Sequence, residues 1–357
     1  MPILDKYIIK KFISTFFFAI LILAVIACVI DYSEKVESFV SRNAPAMEIL
    51  NYYKNFVPHI TALLFPLFIF IATIFFTSKL AYKSEIIAIL AGGISFPRFL
   101  RPYIIGAVFL CSISLIANHW IVPAANKQRL AFENKYINHE AIASGDNVHL
   151  RLTNNLYVYV QSYNYQANIG YRFTAETIEG TLLKEKIMSE RISYDSAKNN
   201  WKLYDVTVRI NDGINEKLEF YPELEKEYPF KPLDLDEDDA IKEALTTPQL
   251  NKFIEREKLR GRETLNFFYV EKYRRTSQPF AALILTIIGV CIASRKIRGG
   301  SGLHLALGIA ISAVYILAMQ LTNTYATKSI LDPIVAVWIP NFIFGLLAIY
   351  LYRRQIR

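Results

Sequence analysis

The sequence predicts an α-helical membrane protein with six transmembrane helices and an inserted antiparallel β domain, jellyroll-like, between the third helix and the fourth. Three observations carry this. Of the 357 residues, 53% are apolar, above the usual share for a soluble domain. Six runs of about 18 or more residues carry no formal charge, and each is long enough to cross ~30 Å of hydrocarbon. They are Phe12–Ile30, Phe56–Ser78, Tyr103–Val122, Ser277–Ser294, Leu303–Thr327 and Pro333–Tyr352. Between Asn147 and Tyr221 the pattern changes to short pieces in which apolar and polar residues alternate.

Basic residues orient the runs. Lys6, Lys10 and Lys11 precede the first run. Lys79, Lys83, Arg98 and Arg101 lie between the second and third, Arg295, Lys296 and Arg298 between the fourth and fifth, and Arg353, Arg354 and Arg357 after the last. If all six runs span, these clusters fall on one side, which the positive-inside rule makes cytoplasmic. Both termini are then cytoplasmic, and about Pro123 to Gln278 lies outside. The first run has a rival reading as a cleaved leader, because Val25-Ile26-Ala27-Cys28 has the form of a lipoprotein cleavage box. The run continues through Ile30 and the charge pattern needs the span, so it is kept as a helix. Lys35 follows among Asp31, Glu34 and Glu37 and reads as part of a solvated helix end.

The stretch Lys79–Arg101, KLAYKSEIIAILAGGISFPRFLR, is basic at both ends with one acid, Glu85. Lys83, Ile86, Ile87 and Leu90 fall at helical spacing, and Gly92-Gly93 followed by Pro97 ends the helix. The spacing predicts a short helix over about 79–91 at the cytoplasmic membrane face. It is either a plain amphipathic loop helix or a surface on which a cytosolic partner pushes.

At the exit of the third run, Trp120 is an interfacial anchor and His119 reads as a hydrogen-bonded interfacial histidine. Lys127, Arg129 and Lys135 then lie on a polar helical continuation, as a solvated face in preference to a cationic rim. Period-2 pieces follow at Val148–Leu152, Leu156–Val160, Tyr171–Ile178, Ile187–Tyr194, Trp201–Ile210 and Lys217–Tyr221. Asn154-Asn155, Glu179-Gly180, Asn199-Asn200 and Asp212-Gly213 punctuate them. Short strands at this spacing indicate a sandwich, jelly roll or open barrel. The acidic run Asp234-Leu235-Asp236-Glu237-Asp238-Asp239 is not a calcium loop: its sixth place holds Asp239 where glycine is required, and its twelfth holds Leu245. Thr247-Pro248 opens a helix with Thr247 as its cap, and Gly261 closes it. Lys272, Arg274 and Arg275 precede the fourth run on the outer side, against the charge rule. They either bind an anionic lipid headgroup or lie on an amphipathic helix at the outer leaflet. Gln320, Asn323 and Asn341 lie in or near spans, where such groups join helices, and Pro340 marks a kink. The domains expected are 1–140 with the first three spans, 141–245 as the β domain, and 246–357 with a connecting helix and the last three spans.

The chemistry of an enzyme is missing. There is no Walker loop, HExxH, nucleophile elbow or metal cluster, and the glycines of Arg295–Gly302 lack the Lys-Ser or Lys-Thr of a phosphate loop. No cofactor is implied. Cys28, Cys111 and Cys291 sit in apolar runs as small hydrophobes. No span carries a mid-membrane acid for proton coupling. A transport function therefore needs an outside motor.

The loop KSEIIAILAGGISFPRFLRP, the passage TPQLNKFIEREKLRG…FFYVEKYRRTSQPFAALILTIIGVCIA and the strand WKLYDVTVR resemble the LptF/LptG (YjgP/YjgQ) permeases of the lipopolysaccharide exporter. The resemblance covers essentially the whole chain. It implies a permease subunit of an ABC transporter in the bacterial inner membrane, paired with a second LptF/LptG-type permease on a cytosolic LptB-type ATPase dimer. It implies that Lys83, Ser84, Glu85, Ile87, Leu90 and Gly92 form the coupling surface, with Glu85 as the coupling acid. Lipopolysaccharide would enter from the outer leaflet of the inner membrane and pass through the periplasmic β domain to an LptC/LptA-type bridge. Lys35, Lys127, Arg129, Arg274 and Arg275 are the candidates for headgroup binding. The family's basic cluster at the outer end of the first span is matched here only by Lys35. The alternative is a membrane-anchored periplasmic scaffold whose β domain binds a partner and moves nothing. A self-sufficient secondary transporter is disfavoured by the lack of membrane-buried acids.

Overall fold

The computed structural model describes residues 2–137, 147–164, 167–195, 198, 200–212, 215–232, 235, 241–260, 265–295 and 302–356. The chain forms two compact units. One comprises Met1–Leu130, Lys242–Leu250 and Asn266–Arg357; the other comprises Ala131–Ile241 and Asn251–Leu265.

The first unit is helical. Its elements are α1 (Ile3–Ser41), α2 (Ala46–Leu63), α3 (Phe65–Tyr82), α4 (Glu85–Ala91), α5 (Phe96–Ile116), a π-helical turn (Ala117–Ile121) and α6 (Val122–Tyr136), which runs on into the second unit. After the β strands come α7 (Ile241–Ala244), α8 (Thr247–Arg260), α9 (Leu265–Ala293), α10 (Gly302–Thr327) and α11 (Pro333–Ile356). Among the described residues, six helical stretches are long and apolar enough to span a membrane, at the six predicted places. The second differs in detail. Phe56–Ser78 is not one helix but breaks at Leu64, between α2 and α3. Pro66, in the first turn of α3, has no N–H to donate and crowds the carbonyl four residues back. That carbonyl belongs to Ala62, and the side-chain amide of Gln278 on α9 donates to it at 2.7 Å.

The core is a continuous apolar cluster drawn from α1, α3, α5, α9, α10 and α11, including Phe12, Phe68, Tyr103, Leu285 and Phe344. Burial is uneven: 72% of the apolar window of α3 is buried, against 11% of that of α1. Polar contacts pin the helices. Arg98 of α5 forks onto Asp5 of α1 at 2.9 and 3.0 Å. Asn341 of α11 accepts from the Tyr315 hydroxyl of α10 at 2.8 Å and donates to the Ser277 carbonyl of α9 at 2.7 Å. Cys28 is half-buried, and Cys111 and Cys291 are buried; all three are free thiols.

Six strands form one antiparallel sheet: β1 (Val148–Arg151), β2 (Leu156–Asn164), β3 (Ile169–Glu179), β4 (Leu182–Asp195), β5 (Asn200–Asp212) and β6 (Asn215–Lys226). Each lies on a predicted period-2 piece. Among the described residues the strand order is sequential, β1 to β6, a meander. Short turns cause this. Gly180, at a φ of 63°, turns β3 directly into β4, and so tight a turn can only join neighbours. One face is buried: Val160, Phe173, Ile187, Leu203 and Trp201 pack with Tyr228 and Phe230. The indole of Trp201 donates to the Phe230 carbonyl at 2.9 Å. Burial pushes the Tyr163 phenol up to about 12 and raises that of Tyr228. Of the acidic run, only Leu235 is among the described residues, and it is buried in this core. Gly261 and most of the turn after α9 also lie outside them.

The cap of α8 is one residue earlier than expected. The Leu250 amide donates to the Thr246 carbonyl at 2.8 Å and the Thr246 amide donates to Gln249 Oε1 at 3.0 Å, so Thr246 is the N-cap and Gln249 makes the return bond of a capping box. This releases the Thr247 hydroxyl for other partners.

Gly308 of α10 sits against Ile74 of α3, where an added Cβ would come within 2.6 Å of Ile74 Cδ1; at Gly345 of α11 it would meet nothing. Gly308→Leu is expected to lower stability by roughly 1–3 kcal/mol through overpacking, and Gly345→Leu to leave it unchanged, both read as thermal unfolding of the purified protein in detergent.

Candidate functional site

Two regions at opposite ends of α3 gather the residues the sequence singled out. The 18 residues of α3 span ~27 Å, close to the thickness of a hydrocarbon core.

At the C-terminal end, α3 stops at Tyr82 and the chain turns through Lys83 and Ser84. Ser84 holds a left-handed conformation, φ 61°, which breaks the helix. The expected helix over about 79–91 is therefore shorter: Lys79 belongs to the last turn of α3, Lys83 caps it, and only Glu85–Ala91 form α4. The far end closes as a Schellman motif. Gly93, at φ 84°, donates to the Leu90 carbonyl, and Ile94 donates to that of Ile89. Ile86 is buried in the apolar core, 1% exposed, which fixes the roll of the short helix. Ile87 and Leu90 then point outward, 52% and 38% exposed, with Glu85 partly exposed at the helix start. Gly92 is exposed in the cap. The result is a small knob with an apolar ridge and an acid, held to the core by buried Ile86 and partly buried Ile89.

At the N-terminal end of α3 lies a cavity of about 320 Å³. Its wall is apolar at Leu63, Val122, Ile316 and Met319 and polar at Glu271, Arg274, Gln278, Gln320 and Asn323. Glu271, buried on α9, accepts from two arginines: Arg274 Nη2 at 2.7 Å and Arg275 Nε at 2.9 Å. Arg275 also donates to the carbonyls of Lys242 and Leu245, both at 2.7 Å, and to Thr247 Oγ1 at 3.4 Å. The same Thr247 hydroxyl meets His119 Nδ1 at 2.7 Å. Arg275 thereby bolts the returning chain to α9.

The other basic candidates are placed as follows. Lys35 is not on a solvated helix end: its ammonium sits 2.7 Å from Asp31 and donates to the Tyr52 hydroxyl at 2.6 Å. Asp31 also accepts from Tyr52 and Tyr53, both at 3.1 Å, so the cluster joins α1 to α2. Arg129 is not on a solvated face either, since it is largely buried and reaches Asn126 Oδ1 at 3.3 Å and Glu243 at 3.5 Å. Lys127, on the same helix, is exposed. Arg275 is buried, and Arg274 lines the cavity. The sequence reasoning missed Glu271 and Gln278. The signal for Gln278 was present: a proline inside one apolar run leaves a carbonyl that an amide in another can serve.

Among the described residues, no group of three or more His, Cys, Asp or Glu side chains could hold a metal ion. No match was found among curated proteins. The family model described as lipopolysaccharide export system permease LptF/LptG matches residues 6–354, nearly the whole chain. With six apolar helices of spanning length and an antiparallel sheet between the third and the fourth, the chain belongs to the LptF/LptG family of lipopolysaccharide export permeases and is a multi-pass membrane protein.

Proposed function

We propose that this chain is one permease of an ABC transporter that draws lipopolysaccharide from the outer leaflet of the bacterial inner membrane, with both of its own termini in the cytoplasm. A separate cytosolic ATPase dimer of the LptB type drives it, and a second LptF/LptG-type permease pairs with it. The observation that carries the reading is the knob at α4. A seven-residue helix with one buried anchor and two outward apolar side chains has little purpose in an isolated chain. Docked in a groove of a moving partner, it transmits displacement directly to α3 and α5, because the turns on both sides are short and Ile86 is locked in the core. Glu85 supplies a charge that fixes the register of that contact.

The substrate is a polyanion with several acyl chains, so its path needs an apolar wall below and cations above. Exposed Lys127 is suited to meet phosphate directly. Lys35 reaches it only by leaving Asp31, and Arg129 and Arg275 hold the walls. The inserted sheet offers β6 as an edge strand with Leu218 and Phe220 exposed, 53% and 74%. Strand addition at such an edge is the physical route for handing the lipid to an LptC/LptA-type periplasmic bridge.

Glu85→Arg is expected to leave the protein folded and inserted while abolishing lipopolysaccharide release in reconstituted vesicles supplied with ATP; normal copurification with the ATPase together with normal release would overturn the coupling role. Ile87→Asp combined with Leu90→Asp is expected to cut ATPase copurification by about tenfold or more, the loss of one small hot spot. Unchanged recovery of an ATPase with that double variant places the docking surface elsewhere, and recovery of no ATPase by the wild type favours a scaffold.

A further inference from the structure

The cavity beside α9 has a charge and a hydrogen-bonding deficit that the chain itself does not fill. Glu271 is one carboxylate shared by two guanidiniums, so the trio Glu271, Arg274 and Arg275 carries one net positive charge, with Glu271 and Arg275 buried. Arg275 directs its donors to protein acceptors. Arg274 does not. Its Nε and Nη2 both bond Glu271 Oε2, and Nη1 reaches only Gln278 Oε1, at a long 3.4 Å. Arg274 therefore brings the excess charge and a spare donor to the cavity wall. On α10, Asn323 lines the same cavity, and its Oδ1 is buried with no hydrogen-bond partner among the described residues. An acceptor left so is costly, and it asks for a donor.

We propose that this cavity binds the phosphodiester of an anionic phospholipid whose headgroup carries hydroxyls, of the glycerol type. One negative charge on the phosphodiester answers the positive charge, and its oxygen accepts from Arg274 Nη1 as a charge-assisted bond. A headgroup hydroxyl donates to Asn323 Oδ1. The cavity, about 320 Å³, has room for a small polar headgroup. The source of the phosphodiester is a lipid because α10 carries apolar Leu317 and Leu321, 61% and 59% exposed, beside cavity-lining Gln320 and Thr324. A headgroup held in the cavity leaves its acyl chains against that surface, which a soluble phosphate ester would not use.

The test is native mass spectrometry of the full-length chain in mild detergent, titrated separately with phosphatidylglycerol, phosphatidylethanolamine and glycerol 3-phosphate. Wild type is expected to retain phosphatidylglycerol about tenfold better than phosphatidylethanolamine. Asn323→Leu fills the cavity without touching the ion cluster, and is expected to erase that preference at an unchanged melting temperature. Arg274→Gln serves as a second variant, with the same loss expected if it folds. Equal retention of the two lipids by wild type, or an undiminished preference in Asn323→Leu, overturns the proposal. Glycerol 3-phosphate competing at equal concentration overturns the lipid assignment in favour of a soluble anion, and lipopolysaccharide displacing the phospholipid at equal concentration makes the cavity a substrate subsite instead. No ATPase enters the assay, so its failure leaves the transport reading standing.

Discussion

A backbone carbonyl that loses its helical donor near the hydrocarbon must find another, and α9 supplies the replacements. Pro66 cannot donate to Ala62, and Gln278 does so instead. α7 and the turn after it present the carbonyls of Lys242 and Leu245, and Arg275 takes both. Each unsatisfied group of this kind would cost several kcal/mol without water to relieve it. Glu271 makes the arrangement possible by holding Arg275 in place. A buried charge pair seldom outperforms apolar packing in net stability, but removing one partner costs about 3–5 kcal/mol. Its contribution here is to fix one way of closing the helical unit around an interrupted second span and a chain that returns from elsewhere.

The same unit divides its helices by what surrounds them. α3 is enclosed on nearly all sides, whereas α1 shows Phe18, Leu21, Val25 and Val29 to its surroundings, each about half exposed or more. Such a surface in water would drive aggregation; against acyl chains or a second apolar helix it carries no penalty. α1 packs on the core along one stripe, through Ile8, Phe12 and Phe16, and is pinned near both ends by polar contacts. Asp5 takes the fork of Arg98 near the start, and Asp31 gathers Lys35, Tyr52 and Tyr53 near the finish. Between them Phe12 lies in the notch left by Gly106, where a Cβ would come within 2.7 Å of the ring. Polar pins at both ends and a greasy middle suit a helix that borders a lipid-filled space.

The six spans and six strands were legible in the sequence because each rests on a local signal, an unbroken apolar run or a period of two. The break at Leu64 was hidden because Pro66 sits inside such a run, and apolarity does not distinguish one helix from two. The cap of α8 was misplaced by one residue because Thr246 and Thr247 are chemically alike; the glutamine three places after Thr246 was the deciding residue. The roles of Lys35 and Arg129 could not be read from their neighbours. Their partners Tyr52 and Glu243 lie 17 and 114 positions away. Pairing at that distance is set by the fold. The strand order escaped for a related reason: alternation identifies strands and says nothing of which one each will join.

The π-helical turn at Ala117–Ile121 lengthens the rod formed by α5 and α6 by a single residue's worth of backbone. Each α-helical residue advances the rotation by about 100°, so this insertion sets the azimuth of everything beyond it. Without it, Asn126 and Arg129 would swing away from Glu243, while the sector of α5 that faces Phe12 would stay where it is. The turn thus works as a vernier between two halves of one rod, letting the lower half be aimed at its neighbouring helices and the upper half be aimed, independently, at the chain that comes back to meet it.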